Sequence, residues 1–440
     1  MSLFTPLREL PKQAEFKKND VFLLFGELIP RGYANGLVNA AKEAGMTIVG
    51  ITVGRREKNN ALRSLTPEEL KEAEANLGGK IYNVPLWGGF DMDSPDDGPT
   101  PQEMLKEIKV DNWESFKLDW DRINACRETG IKRFQDSLAK VMRELQADIP
   151  KDANVFFAHT MAGGIPKAKI LLFLTARIVK GTGDRFLSSE PFWKSDLGRL
   201  VKMNFEEVTA NTFSYLIQAS ETIRQKQTQN SCHVCYSAYG YHGSEILIND
   251  KYQWQTYTPY LPGWAKVKLE EIARHAWEKN IKAIVYNCPE IRTNSSDLFA
   301  GVELSLFPLI QSLETTSDSN WTKTQIEKCV SKLADGISKD KMLDQINGYH
   351  CHEAIKAFYE NFEDWPRHNN QQLADYMIDM SEQIMNMNKT KKDSISDFLS
   401  ALVVQSTGNL MLHESWNPHG PVLWLGHDLI AKDLTQRDKG

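Results

Sequence analysis

Apolar residues along this chain gather in short unbroken runs, separated by stretches in which they return at helical spacing. Residues 21–25, Val-Phe-Leu-Leu-Phe, form one such run, which stops at Gly26 and fits a buried parallel strand. In 34–44 the apolar Leu37, Val38, Ala40, Ala41 and Ala44 follow a helical period, and Gly45 stands where a helix would stop. Residues 47–53 are rich in β-branched side chains and predict a second strand. Strand, turn, helix and strand in that order predict the βαβ unit of a doubly wound fold.

The alternation continues, with further strands expected at 80–86, 154–158, 231–238 and 283–287 and helices at 205–225 and 264–279. Between the third and fourth strands, residues 100–146 form a charged, helical-looking stretch too long for a simple crossover, so an insertion is expected there. After Thr293 the pattern changes: 301–313 is apolar, 322–402 reads as several amphipathic helices, and 410–412 and 422–425 could add short strands. The expected class is therefore α/β, a Rossmann-type doubly wound parallel sheet with a helical insertion and a helical C-terminal extension. The expected division is a core over 1–313 and an extension over 314–440 packed on it.

Composition narrows the function. A net charge of −6 argues against a nucleic-acid footprint, which needs an excess of Lys and Arg on one face. No run is long and apolar enough to predict a membrane span, and the N-terminus lacks the basic-then-apolar pattern of a signal peptide, so a cytoplasmic protein is expected. Cys232 and Cys235 fall in an apolar stretch and read as small strand hydrophobes, and His350-Cys351-His352 has no second ligand cluster, so no metal is expected.

Glycines at a strand-to-helix turn let a pyrophosphate approach the backbone, and the helix N-terminus favours its charge. Here the turn runs Gly26-Glu27-Leu28-Ile29-Pro30-Arg31-Gly32-Tyr33-Ala34-Asn35-Gly36, which departs from the Gly-x-Gly-x-x-Gly spacing. The second strand leads into Arg55-Arg56, where an arginine would accommodate a 2′-phosphate, so NADPH is favoured and NADH remains open.

The long glycine turn resembles that of the enoyl-acyl carrier protein reductases in the short-chain dehydrogenase superfamily. His159-Thr160-Met161-Ala162-Gly163 resembles the His-Ser-Ile-Gly stretch of the FabI type. Gly263-Trp264-Ala265-Lys266-Val267-Lys268-Leu269-Glu270 resembles the Gly-x-Ala-Lys-x-x-Leu-Glu helix of that family, and Pro289-Glu290-Ile291-Arg292-Thr293 its Gly-Pro-Ile-Arg-Thr loop. The resemblance spans about residues 20–300 and is nearest to the divergent reductases of the FabMG kind.

The resemblance implies roles residue by residue. Gly26, Gly32, Tyr33 and Ala34 would face the pyrophosphate, Asp91 the adenine with Asp93 as competitor, and Thr160, Met161 and Ala162 the length of the cofactor. Lys266 would hold the nicotinamide ribose, while the Ile291 backbone and Thr293 hydroxyl would anchor the carboxamide and a phosphate. The FabI-type tyrosine slot before Lys266 holds Pro259; Tyr257 stands at the FabV-type spacing and Tyr260 nearer, so both are candidates for the catalytic tyrosine. Tyr241, in Tyr241-His242-Gly243-Ser244-Glu245, matches the second tyrosine of the FabI type, with Tyr239 as its rival.

The implied activity is reduction of the trans-2 double bond of an enoyl thioester carried on acyl carrier protein, by a homo-oligomer. The alternatives are a carbonyl or hydroxyl oxidoreductase, which the same tyrosine and lysine could serve, and a cofactor-binding sensor without catalysis.

Overall fold

The computed structural model describes residues 4–26, 32–58, 61–255, 263–293, 301–360, 368 and 370–437. Its centre is a parallel sheet of seven strands: β1 (Val21–Phe25), β2 (Thr47–Ile51), β3 (Lys80–Tyr82), β4 (Val155–His159), β5 (Val234–Gly240), β6 (Ala283–Asn287) and β7 (Val422–Trp424). Their spatial order is β3-β2-β1-β4-β5-β6-β7, the doubly wound arrangement expected for the chain.

Burial on both faces explains the unbroken apolar runs, since every residue of β1, β4 and β6 is buried. Side chains alternate between two cores. Phe22 and Leu24 face α1 (Tyr33–Glu43) and α2 (Pro67–Leu77), whereas Leu23 and Phe25 face the long helix α3 (Trp120–Asp148) and α4 (Gly263–Glu278). The expected insertion is real: α3 alone runs 29 residues, and a third apolar core beneath it includes Phe90, Trp113 and Phe192.

The last third of the chain does more than cover the sheet. Val422–Trp424 pairs in parallel with β6 and is flanked in turn by the N-terminal segment, where Leu7 N donates to Trp424 O at 2.9 Å. The stretch 410–412, which could have been a strand, lies within α5 (Ile395–Glu414). That helix is buried nearly all round, which removes the amphipathic period that would have marked it as helical.

Two other expectations shift. The helix expected over 205–225 is a relay of a π-helical turn at Glu206–Asn211, a helix Thr212–Ala219 and another at Glu221–Gln229. The fifth strand begins at Val234, so Cys232 precedes it half-buried while Cys235 is within it and buried. All six cysteines are free thiols.

Candidate active site

Strand order reverses between β1 and β4, and a doubly wound sheet opens a crevice at the carboxyl ends of the strands there. Phe25, the last residue of β1, sits in register with Ile51 of β2 and His159 of β4. Gly26 follows with φ +130, and its N–H donates to Ile51 O at 3.2 Å. A Cβ on Gly26 would lie 2.5 Å from Thr160 Oγ1, so the crevice floor admits only glycine here. Thr160 in turn donates from its backbone N and its hydroxyl to Phe25 O, at 2.9 and 3.1 Å. Residues 27–31 lie outside the described residues. Gly32 caps α1, Tyr33 opens it and Ala34 is buried on it.

On one side of this floor a cavity of about 290 Å³ is lined by Val53, Trp87, Asp91, Thr160, Met161 and Ala162. Asp91 is 3% exposed, and burial raises the pKa of its carboxyl above the usual aspartate range. Asp93 is engaged elsewhere: Arg133 grips it through Nε and a terminal nitrogen, both at 2.8 Å, and also donates to the carbonyls of Trp87 and Gly89. Arg133 and Asp93 thus shape the loop, and Asp91 faces the cavity.

Arg55 and Arg56 are separated by strand geometry. They form a two-residue antiparallel ladder with Leu62–Arg63, and neighbours on a strand point to opposite faces. Arg56 lays its guanidinium 4.9 Å from the centre of the ring of Trp87, a residue that lines the cavity. Arg55 lines a different hollow, of about 230 Å³, with Gly26, Thr52 and Glu69. The indole Nε1 of Trp87 is buried without a hydrogen-bond partner among the described residues, a donor that an acceptor on a bound nucleotide would satisfy.

Residues that sequence reading did not single out hold this cavity's far wall. Asn204 is 1% exposed, donates to Gly164 O at 2.6 Å and accepts from Phe90 N at 2.9 Å, so one amide ties together the two loops that enclose the cavity. Thr209, in the π-helical turn, donates to Gly163 O at 3.0 Å.

His159 ends β4 fully buried. Its Nε2 lies 2.8 Å from Thr212 Oγ1, and that hydroxyl already donates to Val208 O, so Nε2 carries the proton and Nδ1 is the bare nitrogen. Burial, with Lys266 nearby, holds its pKa well below the usual histidine range, and the ring is neutral.

Lys266 lies in the first turn of α4 and donates from Nζ to the backbone carbonyl of Tyr239 at 2.5 Å. Burial lowers its pKa to about 8. The Cys288 thiol is near enough to feel the ammonium, yet burial still pushes its pKa up. The two rival tyrosines at the end of β5 part company. Tyr239 stacks on Tyr33, with centroids 5.2 Å apart, and donates to the Tyr33 carbonyl at 3.0 Å; Tyr241 donates to the Glu290 carboxylate. Tyr257 and Tyr260 lie outside the described residues.

Beyond β6, Ile291 is buried and Thr293 half-buried. Arg292 between them is tied to α5, donating from its backbone N to Ser400 Oγ at 2.9 Å and from its guanidinium to Asp397 at 3.1 Å. The loop that carries Ile291 and Thr293 is therefore anchored by the last third of the chain.

The order of these parts matches a known group. The model of the enoyl-acyl carrier protein reductase FabMG family matches residues 3–434. The chain belongs to the FabMG family. Its activity is that of an enoyl-acyl carrier protein reductase of fatty acid synthesis. Among solved structures, an apo FabMG is 56% identical over 100% of both chains with a TM-score of 0.96. An NADH-bound FabMG is 49% identical over 99% of this chain and 100% of that one, with a TM-score of 0.81. No curated protein matches. Among the described residues of this FabMG chain, no helix is long and apolar enough to cross a membrane.

Proposed function

We propose that this reductase delivers hydride to the β-carbon of a trans-2-enoyl thioester carried on acyl carrier protein, with NADH as the donor. The observation that carries the reading is Lys266, a lysine of depressed pKa held at the carboxyl ends of β5 and β6 in a chain that matches the family over nearly its whole length.

NADH would lie across the strand ends, with adenine in the cavity bounded by Trp87 and Asp91 and pyrophosphate over Gly26 toward Gly32, Tyr33 and Ala34. Thr160, Met161 and Ala162 would run along it, and Ile291 and Thr293 would anchor its nicotinamide end. The sequence favoured NADPH through Arg55 and Arg56. The NADH in a relative and the opposite facing of the two arginines support NADH here.

When bound, the dinucleotide supplies the hydride. Lys266 holds the ribose and sustains a positive potential beside the reacting carbonyl. Tyr257 or Tyr260 donates a hydrogen bond to the thioester oxygen as negative charge develops there, which is worth most where water is excluded. Tyr241, its hydroxyl on Glu290, lines the acyl side. A cytosolic setting goes with this reading and agrees with six free thiols. A homo-oligomer is part of the same proposal, and Leu172 and Phe173, adjacent and exposed, are apolar surface that such an assembly would cover.

The test is purified protein with NADH and a crotonyl thioester, followed by loss of the cofactor's near-ultraviolet absorbance. Turnover with NADH that exceeds turnover with NADPH supports the reading. Tight NADH binding without turnover of any enoyl thioester would overturn it.

A further inference from the structure

We propose that Glu270 is a positioning residue that sets where Lys266 stands, an inference that rests on the cofactor role given to Lys266 above. Glu270 follows Lys266 by one helical turn on the same face of α4 and is 1% exposed. Its carboxylate accepts from Asn287 Nδ2 at 2.8 Å, His242 Nδ1 at 3.2 Å and a guanidinium nitrogen of Arg274 at 3.2 Å. Asn287, the fully buried last residue of β6, also accepts from the backbone N of His242 through Oδ1 at 3.0 Å.

Two successive turns of α4 therefore grip one short segment. Lys266 holds the carbonyl of Tyr239, and Glu270 holds the ring of His242 three residues later and the strand end beside it. Tyr241 lies between the two grips. A buried carboxylate is tolerated only when its lone pairs are filled, and here three donors converge on two oxygens. That convergence fixes the start of α4 against β5 and β6, and with it the depth of the Lys266 ammonium. A glutamine in this place would turn an NH2 group toward at least one of the three donors, and the helix start would have to shift.

The experiment is a double-mutant cycle of Glu270→Gln and Lys266→Met, read by NADH fluorescence for the dissociation constant and by steady-state rates with a crotonyl thioester. Glu270→Gln is expected to weaken NADH about tenfold while changing KM for the thioester less than about twofold, and to add almost nothing once Lys266 is Met. A merely structural glutamate would instead give independent losses in both backgrounds, and that additivity overturns the proposal. Should Glu270→Gln fail to fold, Asn287→Ser removes one donor with the carboxylate kept and enters the same cycle. If Lys266→Met alone retains the wild-type rate and NADH affinity, the cofactor role of Lys266 falls and the positioning role falls with it.

Discussion

A Cβ on Gly36 would lie 1.9 Å from the carbonyl oxygen of Val404, and one on Gly408 would lie 2.2 Å from the carbonyl carbon of Gly36. The last glycine of the long turn thus lets α1 and α5 meet backbone to backbone, and its role is packing. Gly36→Ala gains helix propensity but forces the helices apart, and a net loss of about 1–3 kcal/mol is expected. Urea unfolding checks this, with NADH affinity of the folded protein nearly unchanged. A midpoint at or above that of wild type would show that the two helices separate at no cost.

The opposite facing of Arg55 and Arg56 predicts unequal mutants. Arg56→Ala removes the guanidinium over Trp87 and is expected to weaken NADH about tenfold, or 1.4 kcal/mol, whereas Arg55→Ala should change it less than about twofold. Titration of both variants with NADH and NADPH is the check. Equal losses in the two variants would place both side chains at one subsite, against the strand geometry.

The sheet was legible because its strands are buried on both faces: Val21–Phe25 is an unbroken apolar run, Ala283–Asn287 is apolar up to its last residue, and both have the bounds expected of them. Lys266 could be singled out from the sequence because the helix around it carries a family pattern, and the structure places it at the end of β5. Asn204, Thr209 and Glu270 escaped a role because a polar residue that bonds a distant loop looks, in sequence, like any solvent-facing residue of an amphipathic helix. How Arg55 and Arg56 face was not legible for a related reason: only the strand sends two sequence neighbours to opposite sides. The helix through 410–412 was hidden by burial nearly all round.

The two tyrosine candidates give opposite results under one pair of mutants. Tyr257→Phe is expected to lower kcat by about a hundredfold or more, with the NADH dissociation constant nearly unchanged, because the hydrogen bond it removes strengthens only as the enolate forms. Tyr260→Phe should then cost little. The reverse pattern would move the role to Tyr260, and two unaffected rates would remove both from the chemistry.

His350 and His427 make the fold sensitive to acid. His350 donates from Nε2 to Leu304 O at 3.1 Å, and among the described residues neither nitrogen of the buried His427 has a partner. Burial lowers their pKa values from 6.5 to about 4 and about 3. Because the folded values lie below the unfolded one, the unfolded chain binds more protons between them, so stability rises with pH in that window and is lost as pH falls from 6.5 toward 4. At about 1.4 kcal/mol per pKa unit the pair accounts for several kcal/mol by pH 4. Chemical denaturation across this range should show a shallower loss in His427→Phe. Parallel curves for variant and wild type would clear the pair of responsibility.

Lys266 produces a pH effect in the basic range. Its folded pKa of about 8 lies below the ordinary 10.5, so between these values the folded protein has released a proton that the unfolded chain still holds. The contribution of Lys266 to stability therefore rises with pH from about 8 to 10.5 and is flat on either side. Buried tyrosines and thiols with raised pKa values, such as Tyr239 and Cys288, act in the opposite sense over the same range, so the wild-type curve alone does not isolate the lysine. The difference between wild type and Lys266→Met does. Wild type should gain on the variant by up to about 1.4 kcal/mol per pH unit through that window, a ceiling that residual solvent around the half-buried side chain lowers. A difference that stays constant from pH 7 to 10 would mean that the ammonium is solvated, and its close hold on the Tyr239 carbonyl would then not be the resting arrangement of the site.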